Sequence, residues 1–144
     1  MSEPVHYSLS EGTLLLPEAI QEQSVTLLKL PESRATLVIT RAWDVKPGQE
    51  EAYLRQQLAK VKRDMKKFLA EEATETLFGG LPAREVNMRF ENQGVLVMQK
   101  LLVVMTATHL MALTFSRAAG FDPASLIVWQ NIKEGFIPAA GAGA

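Results

Sequence analysis

The sequence predicts an α+β domain: an antiparallel β-sheet with two helices packed on one face. Apolar residues recur with period two in short runs, and turn residues separate the runs without the long crossovers that parallel strands need. Between residues 49 and 69 the spacing changes to that of a helix. Asp122-Pro123 then opens a second helical run near the end of the chain. The chain has 144 residues, of which 47% are hydrophobic and 22% charged, enough for one ordinary core. A single domain over residues 1–138 and a small, flexible tail over 139–144 are expected.

Taken in order, "VHYSL" (5–9) and "TLLLP" (13–17) flank Glu11-Gly12 and form a short hairpin. "QSVTLLKL" (23–30) is a strand closed by "PESR", and "ATLVITRAW" (35–43) is the next. Pro47-Gly48 interrupts the alternation. From Gln49 to Leu69 the residues Leu54, Leu58, Val61, Met65 and Phe68 mark one face of a helix. Acids open it (Glu50, Glu51) and bases fill its later turns (Lys62, Arg63, Lys66, Lys67), the order that suits the helix dipole. Strands at 73–78 and 82–91 turn on Gly79-Gly80, and Asn92-Gln93-Gly94 turns into a strand at 95–106. A further strand at 108–116 leads to the last helix, with Asp122 as N-cap and Pro123 at its first position.

Many functions lack the residues they need. The chain contains no cysteine, so disulfides, thiolate chemistry and Cys-based zinc sites are excluded. His6 and His109 stand without a partner at metal-ligand spacing, and no cofactor or metal is expected. No P-loop, dinucleotide fingerprint or nucleophile elbow occurs. Glu71, Glu72 and Glu75, and the basic run from Lys60 to Lys67, are expected to be solvated faces. The formal net charge of −1 favours neither nucleic acid nor anionic lipid. No secretory signal and no run of about 18 apolar residues is visible, which predicts a cytoplasmic protein that does not insert into membranes. It is expected not to be an enzyme.

The stretch "VLVMQKLLVVM" (95–105) raises a question. Val95, Val97, Leu101, Val103 and Met105 fall on one face with Gln99 among them, while Leu96, Met98, Leu102 and Val104 fall on the other with Lys100. A strand with one wet face should be apolar on one side only. Val25 and Leu27 oppose Leu28 and Leu30, and Val38 opposes Leu37 and Ile39, in the same two-sided way. Two helices suffice for one face of such a sheet. The second face is then packed internally, or is a dimer interface, or is a surface for an apolar partner.

The segments "LPEAIQEQSVTLLKLP" (16–31), "LVITR" (37–41), "YLRQQL" (53–58) and "VMQKLLVV" (97–104), in this order and spacing, resemble the Eag-type chaperones. These effector-associated proteins of bacterial type VI secretion systems lie within the DcrB-related family. The resemblance covers nearly the whole chain. It implies a curved sheet similar to the Mog1/PsbP-like fold, and a homodimer. It also implies a concave apolar surface that shields the N-terminal transmembrane region of a secreted effector of the PAAR/Rhs type. Family members line the groove with aliphatics, matched here by Val25, Leu27 and Val38, and with glutamines, matched by Gln57 and Gln99. Val61, Met65, Val95 and Leu101 match further groove positions. The other reading is a dimeric structural or adaptor domain with no client groove.

Overall fold

The computed structural model describes residues 5–138 apart from 19, 21, 22, 24 and 119, so the expected tail lies outside the described residues. Four strands come first: β1 (Val5–Leu9), β2 (Gly12–Leu16), β3 (Thr26–Leu30) and β4 (Ala35–Ala42). The helix α1 (Glu50–Asp64) follows, then β5 (Lys66–Ala70), β6 (Thr74–Phe78), β7 (Leu81–Asn92), β8 (Val95–Met105), β9 (Leu110–Arg117) and the helix α2 (Pro123–Gly135). β1 and β2 form a separate hairpin. The other strands form one sheet in the order β3-β4-β9-β8-β7-β5, and β6 shares the outer edge of β7 with β5. Every pairing is antiparallel, as the alternation predicts.

The helix expected over 49–69 is shorter. It ends at Asp64, because Met65 is extended (φ −117°, ψ 150°) and only its N–H still bonds back, to Val61 O at 2.9 Å. The next five residues are strand β5, which pairs with β7 through Lys66↔Glu91, Leu69↔Arg89 and Ala70↔Met88. An irregularity lies between Lys66 and Leu69, where Lys67 takes φ 54°. The free main-chain groups along β7 favour a strand over another helical turn. Phe68 misled the spacing argument: it reaches the core under α1, but from a strand.

The helices also differ from expectation in placement. They lie on opposite faces of the sheet. Leu102 and Val104 of β8 pack with Leu113, Phe115 and Trp129 of α2, whereas Leu101 and Val103 pack with Leu54 of α1. Neighbouring residues of one strand point to opposite sides, so these two clusters mark the two faces. Residues 101–104 are buried on both sides for that reason. The answer to the two-sided strand is therefore internal packing for this half of β8.

The α2 face is closed with care. Asp122 caps α2: its carboxylate accepts from Ser125 N at 2.7 Å, and Ser125 Oγ accepts from Asp122 N at 2.8 Å. Trp129 stacks on Phe115 with centroids 5.2 Å apart. At the far end, Gly79 N donates to Lys133 O at 2.7 Å. Gly79 has φ +57°, and a Cβ there would collide with the Phe136 carbonyl oxygen, so the Gly-Gly turn lets the end of α2 approach closely. Under the helix lies a charged cluster that the sequence did not suggest. Glu85 accepts from Lys133 Nζ at 2.9 Å and faces Lys100 Nζ at 3.6 Å, and all three residues are buried. Lys100 also donates to Asn87 Oδ1 at 2.6 Å, and its ammonium sits 5.3 Å from the Phe121 ring centroid.

Candidate functional site

The α1 face differs from the α2 face. The buried stripe of α1, Leu54 with Leu58, Val61 and the capping Met65, covers Val86, Met88 and Phe90 of β7 and Leu101 and Val103 of β8. It also closes over Leu110 and Ala112 of β9. That cluster reaches β4 only at Ala42. The rest of β4, the edge strand β3 and the far end of β9 stay open on this side.

The register defines the open surface. One row crosses the sheet as Leu27–Val38–Thr114–Leu101–Val86, each residue directly opposite the next. The adjacent row is Lys29–Thr36–Ser116–Gln99–Met88. Directly opposed residues share a face, so both rows lie on the α1 side, which their buried ends Leu101, Val86 and Met88 identify. The helix hides the β7 end of each row and leaves the β3 end in solvent.

The nine residues singled out by the sequence fall on this face and its helix, with unequal access. Leu27 is 57% exposed, and Val25, just before β3, is 65% exposed. Val38 is half-buried and belongs to neither core cluster. Gln99 is half-buried beside the open part of its row. Gln57 is half-buried on α1 and adjoins the stripe, three residues after Leu54 and four before Val61. Val61 and Met65 are partly buried against the core. Val95 is 49% exposed at the start of β8, four residues from Gln99 on the same face, or roughly 13 Å along the strand. Leu101 is 5% exposed and is a core residue beneath α1, so the groove role expected for it does not hold in this arrangement. The helix lies directly over it.

Sequence reasoning missed the hydroxyl groups. On the α1 side β4 presents Thr36, Val38 and Thr40, and β9 presents Ala112, Thr114 and Ser116. These threonines and the serine are half-buried. The floor of the open area is thus mixed, with aliphatic side chains at the rim and hydroxyls and an amide in the middle. The signal was present in "TLVIT", where Thr36 and Thr40 flank Val38 at period two.

Two clefts also lie on the described surface: one of about 630 Å³ at Glu75, Leu77, Arg84 and Met105, and another of about 400 Å³ that reaches Asn87, Gln99, Lys100 and Phe121. Among the described residues no group of three or more His, Asp or Glu side chains is placed to hold a metal ion. Glu71, Glu72 and Glu75 are exposed. His109 stacks on Trp43 with centroids 4.1 Å apart. No helix among the described residues is long and apolar enough to cross a membrane.

Comparison with known proteins agrees with the architecture. A Pseudomonas aeruginosa protein of unknown function, PA94, has a similar structure with TM-score 0.71 and 21% identity, covering 95% of this chain and 98% of that one. LpqN of Mycobacterium tuberculosis, involved in cell envelope biogenesis, is more distant, with TM-score 0.47 and 18% identity over 74% of this chain and 63% of that one. The first likeness supports the fold. No curated protein matches the chain. The DcrB family model matches residues 11–135, most of the chain, and the protein belongs to the DcrB family.

Proposed function

We propose that this DcrB-family protein is a chaperone of type VI secretion. It binds the N-terminal transmembrane region of a PAAR/Rhs-type effector in the cytoplasm and shields it until export. It acts as a homodimer, as a binding protein rather than an enzyme. The observation that carries the reading is the open β3–β4 part of the α1 face, where Val25 and Leu27 stand in solvent beside Val38. A membrane-spanning helix in water exposes apolar surface at about 25 cal/mol per Å². An uncovered aliphatic strip beside a packed helix is suited to receive it. Gln57 and Gln99 supply hydrogen-bonding capacity for the polar groups such a helix retains.

The test is co-expression with the N-terminal segment of a candidate effector, followed by co-purification. Val25→Asp and Leu27→Asp are expected to abolish capture, because a carboxylate held against an apolar client loses its hydration. Circular dichroism should remain that of the parent. Capture by the folded variants would remove this face from the proposal.

One observation favours a second reading, an adaptor domain whose open face is only a dimer interface. β3 is an edge strand, and Leu27 and Leu28 are exposed along it, a pattern that invites pairing with another copy. Light scattering separates the two. Leu27→Asp yields a monomer on the adaptor reading and a client-free dimer on the chaperone reading.

A further inference from the structure

The row beside the apolar strip holds more than one glutamine. Gln99 is opposite Ser116, Ser116 is opposite Thr36, and Thr36 is opposite Lys29 at the sheet edge. Four neighbouring strands each contribute one polar side chain to this line. Side chains directly opposed in a sheet lie about 5 Å apart, so the line spans roughly 15 Å, enough to cross the full width of a helix, about 10–12 Å. Among the described residues, Thr36, Ser116 and Gln99 make no side-chain hydrogen bond, although each is half-buried. Hydroxyl–hydroxyl and hydroxyl–amide pairs at such positions often satisfy one another. Here no such pair forms on the open side of the sheet, and one step along it lies the apolar row of Leu27 and Val38.

From this we infer that Thr36, Ser116 and Gln99 form a polar ladder that selects the client, a role that rests on the chaperone reading above. The ladder takes an apolar helical segment carrying a polar amide or hydroxyl side chain. That side chain pairs with the ladder while the flanking aliphatics lie on Val25, Leu27 and Val38. A purely aliphatic segment would strip water from three unpaired polar groups and return nothing to them, which is how a site built for hydrogen bonding rejects a partner that lacks them. The ladder therefore also sets register, because only one position along the segment can lie over it.

The probes are two lysine-flanked Leu/Ala helical peptides of about 20 residues. One carries a central Asn and the other a Leu at that place. Fluorescence titration of the full-length protein is expected to give about tenfold tighter binding of the Asn peptide. In Thr36→Val/Ser116→Ala that ratio should fall toward one. Thermal melts of the variant confirm its fold; should the pair of changes unfold it, Thr36→Val alone, which conserves shape, is expected to reduce the ratio by a smaller factor. A ratio near one in the parent overturns the ladder and leaves the groove standing. A ratio that persists in the folded variant also overturns it, since the preference then arises elsewhere. Failure of the parent to bind either peptide overturns ladder and groove together.

Discussion

On the α2 face, Trp129, Val128 and Ile132 of the helix meet Leu102, Val104, Leu113 and Phe115 of the sheet, and a capping box and a Gly-Gly turn hold the two ends of the helix in place. On the α1 face the helix meets β7, β8 and the near end of β9, then stops short of β3. On β4 and β9 the α1 side carries Thr36, Thr40, Thr114 and Ser116 where the α2 side carries Leu37, Ile39, Leu113 and Phe115. The faces differ too in what the cover reaches. α1 ends at Asp64 and the chain returns to the sheet as β5, so α1 adds no further turn to its cover. A closed face contributes stability; an open one, with polar groups among its aliphatics, is free to bind.

The largest effect expected on this comparison concerns Glu85, deep in the closed face. Glu85→Ala leaves Lys100 and Lys133 without their shared carboxylate. Removing one partner of a buried ion pair typically costs about 3–5 kcal/mol. Urea melts should find that loss, and adding Lys133→Met should recover part of it, because one of the stranded charges is then gone. A loss below about 0.5 kcal/mol would mean that the cluster is hydrated and the face is less tightly closed than described.

Next in size is a pair of identical truncations on the two faces. Leu102→Ala, in the α2 cluster, should cost about 2–5 kcal/mol through lost burial and a cavity. Leu27→Ala, on the open row, should change stability by less than about 0.5 kcal/mol. Similar losses at both sites would sink the contrast, since Leu27 would then be covered in solution.

Much of this was legible beforehand, for identifiable reasons. Strand order along the chain followed from period two and from turn residues such as Gly79-Gly80, which are local signals. Asp122 and Pro123 marked the start of α2 because a cap is a local device as well. The end of α1 was not legible, since Met65 and Phe68 continue a helical spacing that the pairing of β5 with β7 overrides. Nor was the division of the helices between faces, because the alternation in β8 is apolar on both sides and says nothing about which cover lies where. Parity placed Val25 and Leu27 on one side of their strand and Val38 on one side of the next, and the resemblance joined them in one groove. Leu101 lies in the same register row as Leu27 and Val38, and only the position of α1 separates it from them. The burial of Lys100 and Lys133 beside Glu85 was not legible, for the glutamate that neutralises them is remote from both in sequence.

The smallest expected effect concerns how firmly α2 is seated. Asp122 is held below the ordinary carboxylate range, first by the hydrogen bond from the Ser125 backbone N–H, then by the Ser125 side chain, with Arg117 adding a favourable charge. A carboxyl group whose value is lowered by folding adds stability above its unfolded value, about 4, and that contribution disappears as pH falls through the lower folded value. The group is exposed, so the effect is modest and falls with added salt. Thermal melts of the parent and of Asp122→Ala should differ by a few degrees at neutral pH, and the gap should narrow as the solution is acidified below about pH 4. Asp122→Asn keeps an acceptor for the Ser125 N–H but cannot titrate. It should lie between the two at neutral pH and show the smaller dependence on acid. A gap between parent and Asp122→Ala that stays constant from neutral to strongly acid solution would mean that the carboxylate's charge plays no part in closing the α2 face.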